Sequence, residues 1–286
     1  MEPRATDGLL LVNKPAGMTS HDVVLIARRA FGQPRVGHAG TLDPFATGLL
    51  VLLLGRGTRL IPYLDAEPKV YEATIRFGAE TDTDDATGQV MREAQLPEQI
   101  AIDSALATMV GDLAQRPPDY SAKQVDGVRA YAAARRGRPL DLAPVTVRVH
   151  AWTVRARRGA DLDVTIICGG GTYVRALARD LGQAAGSAAH LVALHRTHSG
   201  RFAVDQASDL ADMRSGTARL LPLRDAVAHL PAQRLSSDEL QLVMHGRPVS
   251  ALVEGPLAAL TAGDELVAVG TRVDSRWQPK VVVRDA

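Results

Sequence analysis

Six consecutive apolar residues, Leu49 to Leu54, stand between Gly48 and Gly55. A run this short cannot span a membrane, and it lacks the alternation of a strand with one wet face. It predicts a strand covered on both faces, inside a sheet with other layers packed against it. A chain of 286 residues can supply those layers around one large core, or one core plus a small appendage. Leu9 to Asn13 reads as another short buried strand, stopped by the Pro15-Ala16-Gly17 turn. Thr19 or Ser20 can then cap a helix running to about Phe31, ended by Gly32 and Pro34. From Tyr71 to Phe77 the residues alternate, which puts Tyr71, Ala73, Ile75 and Phe77 on the core side of a strand.

Val145 to Val149 and Leu162 to Cys168 also read as strands, with a basic turn through Arg155, Arg157 and Arg158 between them. Beyond Gly169-Gly170-Gly171, Thr172 stands where it can cap a helix reaching about Ala185. Strands and helices are interspersed without a repeating β-α unit. The expected class is therefore α+β, a mixed or antiparallel central sheet with flanking helices, rather than a doubly wound fold. After Pro231 short strands dominate (Leu257–Leu260, Leu266–Val269, Lys280–Val283), predicting a domain of 1–231 and a small β-rich C-terminal domain of 232–286.

One cysteine, Cys168, excludes an intramolecular disulfide and a cysteine-rich zinc site, and favours a reducing, cytoplasmic setting. The apolar run at Leu9 is cut off by Asn13-Lys14-Pro15, too soon for a signal peptide, so no membrane association is expected. The net charge of +1 conceals an asymmetry: between Arg116 and Arg158 ten basic residues face three acidic ones. Such a segment is either a solvated basic face or a footprint for a phosphate backbone. No Walker loop, dinucleotide fingerprint, calcium loop or zinc-protease helix is present, so neither a metal nor a cofactor is expected. That leaves hydrolysis, isomerisation or plain binding.

Asp43 lies in the loop Gly37-His38-Ala39-Gly40-Thr41-Leu42-Asp43-Pro44, with Arg35, Arg56 and Arg59 nearby in sequence. An Asp before Pro is biased toward extended backbone, and adjacent glycines clear bulk around its carboxylate. Taken alone, an Asp-Pro pair is ordinarily a turn aspartate. Its neighbours change that reading. Gly8 to Pro15, Val36 to Pro44 and Ala46 to Leu50 resemble the opening motifs of the TruB-type tRNA pseudouridine-55 synthases. The resemblance continues through Tyr71-Glu72-Ala73, Thr81 to Asp85, Pro117 to Lys123, Gly171 to Leu177, and Ala189 to Leu194 with Arg196, in family order over roughly residues 8–202.

The resemblance implies the pseudouridine synthase catalytic fold and a cofactor-free isomerisation of uridine in the T stem-loop of tRNA, at position 55. Asp43 takes the position of the catalytic aspartate, which attacks the sugar or assists elimination and then leaves. Arg175 matches the arginine that pairs with it, keeping it ionised where burial alone favours protonation. Tyr71 matches the tyrosine that stacks on the target base, and Tyr173 and Leu194 match contacts to the flipped uracil. His38 matches a histidine filling space vacated by flipped nucleotides, and Lys14 supports the site. The basic stretch of about 116–158 covers the region resembling the family's RNA-clamping insertion, so Arg135, Arg136 and Arg138 are expected on RNA backbone.

Two departures stand out. His38-Ala39-Gly40 has alanine where the family often has threonine, and residues 235–286 carry five basic against seven acidic residues, only faintly similar to a PUA-type RNA-binding module. The competing class is an RNA-binding or tRNA-folding factor with incidental catalysis; no obligate protein partner is indicated. A glycoside- or nucleoside-cleaving hydrolase calls for a second placed carboxylate, and none stands beside the motif.

Overall fold

The computed structural model describes residues 6–121, 123–125, 128–130, 133, 136 and 140–284. The chain divides into two compact units: Met1–Pro44, Gly48–Ala66 and Arg201–Ala286 form one, Phe45–Thr47 and Glu67–Gly200 the other.

The first unit opens with β1 (Gly8–Lys14), α1 (Ser20–Ala30), β2 (Val36–His38) and β3 (Thr47–Leu54). β3 pairs antiparallel with β1 from Leu54 opposite Gly8 to Gly48 opposite Lys14, and along its other edge with β2. Every residue from Leu49 to Leu54 is fully buried, as the uninterrupted apolar run requires. Thr19, not Ser20, caps α1: it accepts from the Asp22 amide while Asp22 accepts from the Thr19 amide. Ser20, Val23, Val24 and Ala27 form the buried stripe of the helix. Capping leaves the Ser20 hydroxyl to the interior.

The second unit is an antiparallel sheet with helices. Its elements are β4 (Lys69–Phe77), β5 (Ala79–Thr81), β6 (Val90–Glu93), α2 (Gln99–Thr108), β7 (Gly111–Gln115), β8 (Gln124–Val125), β9 (Val128–Arg129), β10 (Val145–Arg158), β11 (Asp161–Cys168), α3 (Val174–Ala184) and β12 (Ala189–Ser199). The strand order is β12-β4-β11-β10-β7. Tyr71, Ala73, Ile75 and Phe77 are buried and Glu72 and Arg76 exposed, matching the alternation of the sequence.

Two expectations need correction here. The arginines at 155, 157 and 158 lie in strand, not in a turn: β10 runs 14 residues and the reversal falls at Gly159, whose φ is +59°. Bulges at Val149/Ala151 and Val154/Ala156 break the period of two, so the pattern fades halfway along a strand that continues. Acids from other strands meet Arg158 (Asp163, 2.6 Å) and Arg155 (Glu72, 3.8 Å), as Asp112 meets Arg148 at 3.0 Å, while Arg157 donates to the Pro97 carbonyl and the Gln99 carboxamide. Likewise Thr172 does not cap α3. Its hydroxyl donates back to the Gly169 carbonyl at 2.9 Å, and the capping position is Tyr173, without a side-chain cap.

The chain then returns to the first unit through β13 (Phe202–Ala203), α4 (Leu210–Ser215) and β14 (Leu220–Leu221), the last pairing with β1. It ends in β15 (Ala232–Arg234), α5 (Ser237–Met244), β16 (Val249–Ser250), β17 (Leu257–Ala262), β18 (Glu265–Val273) and β19 (Arg276–Val282), a separate sheet of order β15-β17-β18-β19-β16. Ala259, Leu266, Val269 and Val281 share one core with Leu9, Leu11, Leu49, Val51 and Leu53, which supplies the cover that β3 needs on one side. A second core gathers Leu235, Val243, Leu260, Val267 and Trp277, whose indole donates to Gln233 at 2.8 Å. Among the described residues no helix is long and apolar enough to cross a membrane.

Candidate active site

Asp43 is half-buried in the loop between β2 and β3, and that loop is held on both sides of it. The Ser20 hydroxyl accepts from the Leu42 amide at 2.8 Å and donates to the Leu42 carbonyl at 3.1 Å, so one side chain satisfies both backbone groups of the preceding residue. On the following side, the Pro44 carbonyl accepts from the Gly17 amide at 2.8 Å and from the Lys14 ammonium at 3.3 Å. Lys14 is fully buried, and its ammonium also donates to the carbonyls of Pro15 (2.9 Å) and Met18 (2.8 Å). Gly17, at φ +86°, folds the Met18 carbonyl back toward the ammonium. Gly40 turns the loop at φ +101°, directly after the Ala39 amide donates to the Val51 carbonyl at 2.9 Å. The glycines and prolines thus have local jobs, and Lys14 reads as a structural cation tying three carbonyls. His38 closes β2 opposite Leu52, in the same unit.

The other expected residues belong to the second unit. Tyr71 is 6% exposed on β4, with Ile166 opposite it on β11 and Arg196 opposite on β12. Leu194 stands opposite Ala73, so Tyr71, Leu194 and the fully buried Arg196 share one sheet face. A bulge between Leu191 and Ala193 lets Leu191 and Leu194, three apart, both point to that face. Lys69 precedes Tyr71 by two on this face; burial, then the charge of Arg196, holds its ammonium below the ordinary lysine value. The hollow of about 470 Å³ in this unit opens mainly on the opposite face, among Phe45, Thr47, Glu72, Thr74 and His195, and of the expected contacts only Leu194 borders it.

Tyr173 and Arg175 sit at the start of α3. Arg175 is 4% exposed, and its guanidinium donates to the Thr83 carbonyl at 2.8 Å and the Tyr120 carbonyl at 2.9 Å. The Asp85 carboxylate lies 3.7 Å from its Nε. Asp85 is itself fixed, accepting from both Thr83 and Thr87 hydroxyls and from the Thr87 amide. One helical turn on, Arg179 donates to Asp84 at 2.8 Å and to the Arg116 carbonyl at 2.9 Å. Burial pushes the Asp84 carboxyl up to about 6, against the pull of Arg179 and Arg175. The segment Thr81 to Gly88 is therefore an acidic turn that seats two arginines of α3, and backbone bonds to Leu191 fasten it to β12.

Sequence reasoning misses two of these supports. It offers Ser20 only as an alternative cap and gives Asp85 no role beyond its motif. Of the arginines expected on RNA backbone, Arg136 is exposed, while Arg135 and Arg138 lie outside the described residues.

A half-buried carboxylate on a rigid loop, and a separate face carrying a tyrosine, a leucine and cationic side chains, suit nucleophilic or elimination chemistry on a ring-bearing substrate. The fold has solved counterparts. A chain from the structure of an H/ACA RNP bound to a substrate RNA containing 2′-deoxyuridine superposes with a TM-score of 0.73 at 23% identity, over 97% of this chain and 85% of that one. Residues 28–174 match the N-terminal domain of the TruB family pseudouridylate synthases. The chain is 45% identical to a tRNA pseudouridine synthase B of Mycobacteroides abscessus, over 100% of this chain and 99% of that protein. It is 43% identical to one of Mycobacterium tuberculosis, over 98% and 96% respectively. The chain belongs to the TruB family of pseudouridylate synthases.

Proposed function

We propose that this chain isomerises uridine to pseudouridine in the T-loop of tRNA, at position 55, with Asp43 as the catalytic carboxylate. The full-length likeness to enzymes named tRNA pseudouridine synthase B supports the substrate. The observation that carries the catalytic assignment is the clamped loop: Asp43 stands between two residues whose carbonyls are both tied to the interior, so its carboxylate is presented from fixed backbone. In the reaction the bond from N1 to C1′ breaks, the uracil turns, and C5 joins C1′. C5 loses a proton as N1 gains one, so no redox partner is required. Asp43 acts either by attacking C1′ or by assisting elimination to a glycal; both routes use the same carboxylate.

The target base must leave its stack, at a cost of roughly a few kcal/mol. Tyr71 offers a ring for it to stack on, and Tyr173 and Leu194 complete the pocket in this reading, with His38 occupying space left by displaced nucleotides. Arg175 is the partner of Asp43 in this reading. Arg135, Arg136 and Arg138, in a clamping segment of about 116–158, hold phosphates and position the stem-loop by shape. Residues 1–231 form the catalytic domain and 232–286 a small β-rich C-terminal domain. A cytoplasmic setting agrees with a single buried thiol, Cys168.

The test is incubation with unmodified tRNA, followed by mapping of pseudouridine for wild type and Asp43→Ala. Conversion by wild type that is abolished by Asp43→Ala, with RNA binding retained, is expected. No pseudouridine from wild type, or release of free uracil, overturns the proposal. Neutralising Arg135, Arg136 and Arg138 together should weaken binding and flatten its salt dependence, by roughly 0.7–0.9 in slope for each phosphate that is no longer neutralised.

A further inference from the structure

The start of α3 has no cap of its own, yet two expected substrate-site residues sit there. Tyr173, in the capping position, has extended backbone (φ −95°, ψ 108°) and receives no side-chain hydrogen bond from within its own turn. The bonds come from 58 residues away. The Tyr173 amide donates to the carboxamide oxygen of Gln115 at 2.9 Å, and the Gln115 carboxamide nitrogen donates to the Tyr173 carbonyl at 3.1 Å. Gln115 is 1% exposed, so its carboxamide makes these bonds away from bulk water. A carboxamide is an uncharged side chain that offers a donor and an acceptor side by side, and it meets the N–H and C=O of one residue as a neighbouring strand would.

Gln115 is also the last residue of β7, and the chain that follows it repeats the attachment. The Arg116 carbonyl accepts from Arg179, and the Tyr120 carbonyl accepts from Arg175. Four hydrogen bonds therefore join the stretch 115–120 to the first turns of α3, and from that stretch the basic segment departs. We infer that Gln115 is a positioning residue for the reaction, its carboxamide fixing Tyr173 and the start of α3 to the strand that leads into the basic segment. The inference rests on the reading of Tyr173 and Arg175 as substrate-site residues.

Such a residue acts on turnover more than on RNA capture, because a misplaced contact to the flipped base costs rate while phosphate contacts elsewhere persist. Gln115→Met removes both bonds at similar volume. Gln115→Glu keeps the acceptor and the shape, and loses the donor when ionised. The experiment measures single-turnover pseudouridine formation on unmodified tRNA, RNA affinity and thermal unfolding for wild type and both variants. The expected result is a tenfold or greater fall in rate for Gln115→Met, with affinity within about twofold. For Gln115→Glu the expected fall is partial and recovers as pH drops from 8 to 6, because a protonated carboxyl restores the donor. Rates within twofold of wild type in both folded variants overturn the inference. So does a fall in rate matched by an equal fall in affinity and no recovery of Gln115→Glu at low pH. Wild type lacking activity on tRNA would instead refute the functional proposal, so the two failures are distinguishable.

Discussion

The loop that carries Asp43 and the helix start that carries Arg175 are held in opposite ways. Around Asp43 the supports come from 22 to 30 residues away, all from the strand, turn and helix start that precede the loop, and act on backbone: Ser20 on Leu42, Gly17 and Lys14 on Pro44. Around Arg175 the supports come from 55 to 92 residues away and include a carboxylate, a carboxamide and two carbonyls. A carboxylate proposed to react from a loop needs fixed backbone, which a few buried donors can supply. A buried guanidinium needs its charge and its several N–H groups answered, and no single neighbouring segment has enough acceptors.

Lys14→Met should produce the largest effect, because it leaves carbonyls without their donor in the interior. A loss of about 3–5 kcal/mol is expected, lowering Tm by roughly 10 °C and abolishing turnover. An unchanged melting curve would mean that the loop does not depend on its buried cation. Arg175→Lys tests the other side: a lysine cannot reach Thr83, Tyr120 and Asp85 together, and a rate loss on the order of 100-fold is expected in single-turnover assays. Full activity in that variant would remove the contrast between the two regions. Ser20→Ala leaves the Leu42 amide unanswered, at about 1–3 kcal/mol, and should slow turnover roughly tenfold while RNA affinity is kept. α1 should survive, since Thr19 is its cap.

The smallest effect concerns Asp84, whose folded carboxyl lies near 6, above its ordinary 3.8. A pKa raised on folding means that the protonated form favours the fold. The stabilisation is complete below the unfolded value and is lost as pH rises through about 6. Relative to Asp84→Asn, wild type should therefore gain on the order of 1–2 kcal/mol as pH falls from 7 to 4. A parallel pH dependence of the two unfolding curves would show that Asp84 is not the group responsible.

This contrast also explains what the sequence could reveal. Leu49 to Leu54 and the alternation at Tyr71 are local patterns that appear in the structure where the sequence placed them, and the helix cap falls on Thr19, one of the two residues the sequence offered. The Asp43 loop announces itself through glycines and prolines whose constraints are local too. β10 could not be followed beyond Val149, because bulges shift its residues between faces and its arginines look like a turn until the acids of neighbouring strands are seen. The clasp of Gln115 on Tyr173 joins two segments by a side chain with no periodicity and no motif, so only the folded chain displays it. The motifs nominate Tyr71, Tyr173, Arg175 and Leu194 as site residues; what holds them in the fold was not legible.

The central claim is that the Asp43 carboxylate performs the isomerisation. The most direct measurement is release of tritium from tRNA labelled at C5 of uridine, under single-turnover conditions, for wild type and the isosteric Asp43→Asn. Wild type is predicted to release one tritium for each pseudouridine formed, and Asp43→Asn to release none while binding the RNA with affinity within a few-fold. Release by Asp43→Asn at the wild-type rate would contradict the account.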